Sequence, residues 1–261
     1  MDNIIIEKVI NNNIISAYEK SGAEVIVMGR GIGFKKKQGE VVPADQISKI
    51  FRIKSRTLTE QFKELLANMP LERVRISDEI ISHAKDHLKL KLNQSIYVTL
   101  TDHINSAVAR YREGIALKNM MKIDIRKFYP KEYQVGMHAI EWIKEQTGED
   151  LGDDEAAFIA MHIVSAELNA QNITDVNQIT ELINTVLQIV RIHFKIDLNE
   201  ESISYERFLT HLKFFAARVF DHMEYEDTMQ EIYKVMVEQN ENAFSGVKKL
   251  QNILKSNITI N

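Results

Sequence analysis

The sequence has no cysteine, which closes off disulfides and thiolate chemistry and fits a cytoplasmic protein. It has no apolar run near the ~20 residues that a membrane-spanning helix needs. Its start, with Asp2 and Glu7, lacks the basic opening of a signal peptide. There is no nucleophile–base grouping, no P-loop and no kinase signature, so nothing points to an enzyme or calls for a cofactor. A uniformly basic character is missing too, since the 261 residues carry a net charge of −4. That charge is uneven. Residues 1–56 hold ten Lys/Arg against six Asp/Glu, a balance of +4, which leaves −8 for the remainder. A small basic domain joined to acidic ones confines contact with a polyanion to the N-terminal part.

What is present is organised around Gly29-Arg30-Gly31-Ile32-Gly33-Phe34-Lys35-Lys36-Lys37. Glycine lets a backbone approach a ligand closely, and Arg30 and the lysines place positive charge beside an aromatic stacking surface. A β-element that reads nucleic acid needs these features. A hairpin tip whose lysines only keep it soluble would look similar. Dinucleotide binding fails on spacing: GxGxxG from Gly29 needs glycine at 34, where Phe34 stands.

Four short strands are expected, at roughly 3–10, 14–19, 23–28 and within 47–54, with Asn11-Asn12-Asn13 joining the first two. Four strands with one apolar face make a marginal core, and pairing two such sheets in a dimer is the natural remedy. Helical spacing follows from Leu58 to Met69, ended by Pro70. Ser77-Asp78-Glu79 reads as the cap of the next helix, and Asn93-Gln94-Ser95 opens another. Further helices are expected over 115–128, 133–146 and, after the acidic start Asp153-Asp154-Glu155, 156–169. The polar, aperiodic stretch 170–177 reads as a linker.

The second half repeats the first. His87-Leu88-Lys89-Leu90-Lys91-Leu92-Asn93 matches His193-Phe194-Lys195-Ile196-Asp197-Leu198-Asn199; after two inserted residues, Tyr97 pairs with Tyr205, His103 with His211 and Arg110 with Arg218. This is a duplication of a helical domain of about 100 residues. In that register the counterpart of His162 falls past Asn261, so the second unit is expected to be incomplete, as in a fragment. His103, His162 and His211 each adjoin apolar residues at helical spacing, which suits a half-buried histidine satisfied by a hydrogen bond. The repeat favours function, because His103 and His211 match while many neighbours differ. Arg110 and Arg218, two turns further on, are either partners of these histidines or surface arginines. His83 and His87 have the spacing of a metal pair but lack the zinc-protease glutamate, so no metal is expected. His138, His193 and His222 carry no constellation.

Lys8-Val9-Ile10-Asn11-Asn12-Asn13 followed by Val27-Met28-Gly29-Arg30-Gly31-Ile32-Gly33-Phe34 resembles the co-antiterminator RNA-binding domain of the BglG/LicT transcriptional antiterminators. The resemblance continues through nearly the whole chain. It implies a multidomain α+β chain: a four-stranded antiparallel β-domain over 1–56, a linker helix over 57–70, and two homologous all-α bundles. These are PTS regulation domains over 71–170 and 171–261. It further implies a homodimer that grips a hairpin in nascent mRNA against terminator formation, with Lys8, Asn11, Asn13, Gly29, Arg30, Phe34 and Lys35 at the RNA-facing positions. Some relatives carry a neutral residue at the position of Lys35. His103, His162 and His211 match phosphorylatable histidines, served by the phosphocarrier protein HPr and a sugar-specific enzyme II. Phosphate on the first domain is expected to silence and on the second to activate. A DNA-binding activator with the same sensor domains would need a helix-turn-helix before the first bundle, and residues 1–56 read as strands. A phosphotransfer enzyme would need a donor site, and none is visible.

Overall fold

The β-branched runs at the front form one antiparallel sheet in the computed structural model, which describes residues 4–220 and 245–248. Its strands are β1 (Ile4–Asn11), β2 (Ile14–Tyr18), β3 (Glu24–Met28), β4 (Val41–Val42) and β5 (Lys49–Phe51), in the order β4-β1-β2-β3-β5. That is one strand more than expected. β4 pairs Val42 with Ile4 and Val41 with Ile5, and two residues are too few to show an alternating pattern.

Both faces of this sheet are buried, where one apolar face was expected. Ile14, Ile26, Met28 and Phe51 point to one side. Ile4, Ile6, Ile15, Ala17, Val25 and Val27 point to the other, together with Val42 of β4, and Ile32 from the long β3–β4 connection packs among them. Burial on both sides explains why β2 and β3 read as continuous apolar runs.

The first face is covered by α1 (Arg56–Ala67), whose Phe62 and Leu66 are fully buried against it. Phe51 meets the Phe62 ring edge-on at 5.3 Å and the Tyr97 ring at 5.5 Å. Lys63 on α1 binds Glu24 on β3 at 2.9 Å, and Glu24 also accepts from the Ser16 hydroxyl. The helix expected as a linker is thus part of the core of the N-terminal domain. The residues up to Ala67 have a partner sheet because the helix folds back across it.

The first bundle follows as α2 (Leu71–Asp86), α3 (Ile96–Arg112), α4 (Lys122–Phe128), α5 (Pro130–Thr147) and α6 (Asp153–Leu168). Ile76 and Ile80 of α2, Leu100 and Ile104 of α3, Val135 and Ala139 of α5, and Ile159 and Ile163 of α6 form its core. Three boundaries differ from expectation. Ser77 lies inside α2, and its hydroxyl donates back to the Arg73 carbonyl at 2.8 Å instead of capping. Residues 115–119 are not helical, because Gly114, in the left-handed region at φ 73°, ends the preceding turn. The polar stretch read as a linker from 170 contains the start of α7 (Ile173–Phe194), opened by a reciprocal pair: Asp175 N–H donates to Asn172 Oδ1 at 3.1 Å, and Asn172 N–H to Asp175 Oδ2 at 3.3 Å.

Two compact units are distinguished, residues 1–169 and 170–261. In the second, α7 packs against α8 (Ile203–Phe220), with Ile183, Val186 and Leu187 buried on α7 and Tyr205, Leu212 and Ala216 buried on α8. His222 lies outside the described residues.

Candidate nucleic-acid interface and histidine cluster

The three asparagines at the β1–β2 turn build the glycine turn that follows β3. Asn13 accepts from Gly29 N–H through its carbonyl at 2.9 Å and from Gly31 N–H through its side-chain oxygen at 2.9 Å. The Asn12 carbonyl accepts from Gly33 N–H at 3.1 Å. Two of the glycines are required by close approach. A Cβ on Gly29 would stand 1.9 Å from the Gln46 carbonyl oxygen, and one on Gly33 would stand 2.4 Å from that of Asn11. Asn11 works from beneath: its Oδ1 accepts from Asn13 N–H at 2.8 Å and its amide donates to the Leu66 carbonyl at 2.9 Å. That carbonyl, in the last turn of α1, also accepts from Met69 N–H at 3.4 Å. Both ends of the Asn11 amide are therefore engaged inside the fold.

This scaffold holds Arg30, Phe34 and Lys35 outward. Phe34 is 57% exposed, unusual for a phenyl ring, and the Lys35 ammonium sits 5.4 Å from its centroid. Arg30 and Lys8 are exposed as well. Lys36 is paired with Glu40 at 3.2 Å, and Glu40 also accepts from Lys37 N–H, so part of the lysine run serves the turn itself. An exposed ring beside cations on a rigid backbone can stack a base and meet a phosphate.

The first bundle gathers His103 from α3 and His162 from α6, ring to ring at 4.7 Å. Glu155, also on α6, joins them. Its Oε2 lies 3.0 Å from His103 Nε2, within reach of a proton on that nitrogen. Its Oε1 accepts from Arg110 Nη2 at 3.0 Å. Burial would push the Glu155 carboxyl up, but His103 and Arg110 outweigh it and hold it below the ordinary carboxylate range. His162 is held well below the ordinary histidine range, by burial first and then by repulsion from His103, so it is neutral at pH 7. Arg110, expected either as a partner of the histidine or as a surface arginine, bonds to Glu155, the carboxylate that faces His103.

Glu155 is the residue that sequence reasoning missed, taken there for part of a charged helix start. A signal existed: it precedes His162 by the same two helical turns that separate His103 from Arg110. His211 is exposed on α8 and faces an apolar cavity of about 440 Å³ lined by Val186, Ile189, Val190, Phe208 and Phe215 among others. Among the described residues, no ion pair forms at His211 comparable to that at His103.

A second group of imidazoles lies on α2 and α5. His83 stacks on His87 at 4.8 Å and meets His138 edge-on at 5.4 Å, beside Trp142. Among the described residues no group of three His, Asp or Glu side chains is arranged to hold a metal. Burial and repulsion from His87 and His138 lower the affinity of His83 for a proton.

Comparison with known proteins then settles the lineage. A family model of the CAT RNA binding domain matches residues 4–60, and one of the PRD domain matches 78–166 and again 184–261. The transcription antiterminator LicT of Bacillus subtilis is 44% identical over 252 residues, 96% of this chain and 90% of that one. The chain belongs to the BglG/LicT family of transcriptional antiterminators. A β-glucoside operon antiterminator of Dickeya chrysanthemi is 37% identical to this antiterminator over 94% of the chain and 87% of the relative. The crystal structure of GlcT CAT-PRDI superposes with a TM-score of 0.56 at 35% identity, covering 63% of the chain and 98% of that structure. No described helix of the antiterminator is long and apolar enough to cross a membrane.

Proposed function

We propose that this chain is an RNA-binding antiterminator that stabilises a hairpin in nascent mRNA and so prevents an overlapping terminator from forming. The observation that carries this reading is the turn locked by Asn13, which presents exposed Phe34 beside Lys35, with Arg30 exposed on the same turn. Phe34 stacks on an unpaired base, Arg30 meets phosphate or a guanine edge, and Lys8 and Lys35 add backbone charge. Asn11, Asn13 and Gly29 serve by shaping the surface, and the Asn13 amide can also reach a base edge. The chain acts as a homodimer in the cytoplasm.

Control lies in the bundles. HPr and a sugar-specific enzyme II phosphorylate His103, His162 and His211. A phosphate adds roughly two negative charges, enough to disturb a pair such as Arg110–Glu155. Phosphate on the first domain silences and on the second activates, by shifting an association equilibrium. A gel shift at stated salt, with a hairpin RNA against a DNA duplex of equal length, tests the central point. Preference for the RNA is expected; equal or tighter binding of the duplex sinks the reading.

A further inference from the structure

The two nitrogens of His103 stand in different surroundings. Nε2 is buried and faces Glu155 Oε2 at 3.0 Å. The carboxylate pairs with the ring through Nε2. A carboxylate beside one imidazole nitrogen keeps the ring proton there and leaves the lone pair on the other. We propose that His103 accepts its phosphoryl group on Nδ1, with Glu155 as the positioning residue that fixes the proton on Nε2. The inference rests on reading His103 as a phosphoryl acceptor and goes on to say which atom accepts.

The charges around the ring support it. A phosphoryl donor approaching Nε2 would meet the Glu155 carboxylate, an anion, where the incoming group must sit in line with the bond being broken. Arg110, on the other carboxylate oxygen, keeps Glu155 turned toward the ring and in its ionised form. His162, against the same ring at 4.7 Å and neutral, brings no competing positive charge that would pull the carboxylate away.

The step balances without an added acid or base. The donor is a protein phosphohistidine whose ring carries a proton on its other nitrogen. The Nδ1 lone pair of His103 forms the new N–P bond while the donor's N–P bond breaks, its electron pair returning to the donor ring, which leaves neutral. His103 becomes a phosphoimidazolium that still holds its Nε2 proton. Its new positive charge lies against Glu155, so the carboxylate favours the product and the transition state leading to it.

The test uses the whole chain, labelled with ¹⁵N-histidine and incubated with a histidine-phosphorylated phosphocarrier protein. Mass spectrometry locates the phosphate, and nitrogen–phosphorus and proton–nitrogen correlation spectra identify the atom that bears it. Phosphate on Nδ1 of His103 is expected. Glu155→Gln should slow its uptake roughly tenfold or more and allow Nε2 to be used, while Glu155→Asp should restore Nδ1. Phosphate on Nε2 in the unaltered chain overturns the inference while leaving His103 an acceptor. No phosphate at His103 overturns the broader reading, and this one with it. If Glu155→Gln fails to fold, the atom found in the unaltered chain still decides.

Discussion

His103 and His162 lie ring to ring at 4.7 Å, although one comes from α3 and the other from α6. The second is so enclosed that it stays neutral where an exposed histidine would begin to take up protons.

This sets a dependence of stability on pH. His162 and His83 both hold protons more weakly in the fold than in the unfolded chain, where the ordinary value is about 6.5. Between those two values the unfolded chain binds more protons, so stability is full above about pH 6.5 and falls as the pH drops below it. The melting temperature should decrease by at least a few degrees from pH 7.5 to 5.5. His162→Gln and His83→Gln should each flatten the slope. A slope unchanged in both variants would refute the account. Glu155 adds a separate loss at lower pH, below its ordinary 4.5, since its pKa is depressed by the fold.

Phe34→Ala and Arg30→Ala should each weaken binding of a hairpin RNA by roughly 1–3 kcal/mol and leave the melting temperature nearly unchanged, because both side chains face solvent. Fluorescence anisotropy at fixed salt, with thermal melts beside it, measures both. Parental affinity in both variants would remove these residues from the interface.

Gly33→Ala should act in the opposite way, through the fold. Its Cβ would stand 2.4 Å from the Asn11 carbonyl oxygen, a backbone atom that cannot rotate aside. A destabilisation of roughly 2–3 kcal/mol is expected, with RNA binding lost as the turn moves. Denaturant titration reads the first effect.

Phe62→Ala should cost roughly 3–5 kcal/mol and expose the sheet face that α1 covers, since Phe62 is buried against Phe51 and Tyr97. Urea unfolding gives the loss. Sedimentation of the same variant should show increased self-association, the uncovered apolar face being the cause.

Most elements of the first unit were legible in the sequence because each rests on a local pattern. β-branched runs make β1 to β3, 3.6-residue spacing makes α2, α3, α5 and α6, and the repeat pairs His103 with His211. The glycine turn was legible too, since close approach leaves few alternatives to glycine at 29 and 33. Folding alone decided the rest. That α1 lies on the sheet depends on Phe62 and Leu66 meeting a face whose other half comes from β2, β3 and β5. The Arg110–Glu155 bond joins residues 45 apart, and only the packing of α3 against α6 brings that carboxylate to His103 as well. A periodic pattern tells which side of a helix is apolar; which helix it meets, and at what height, is set by the core as a whole.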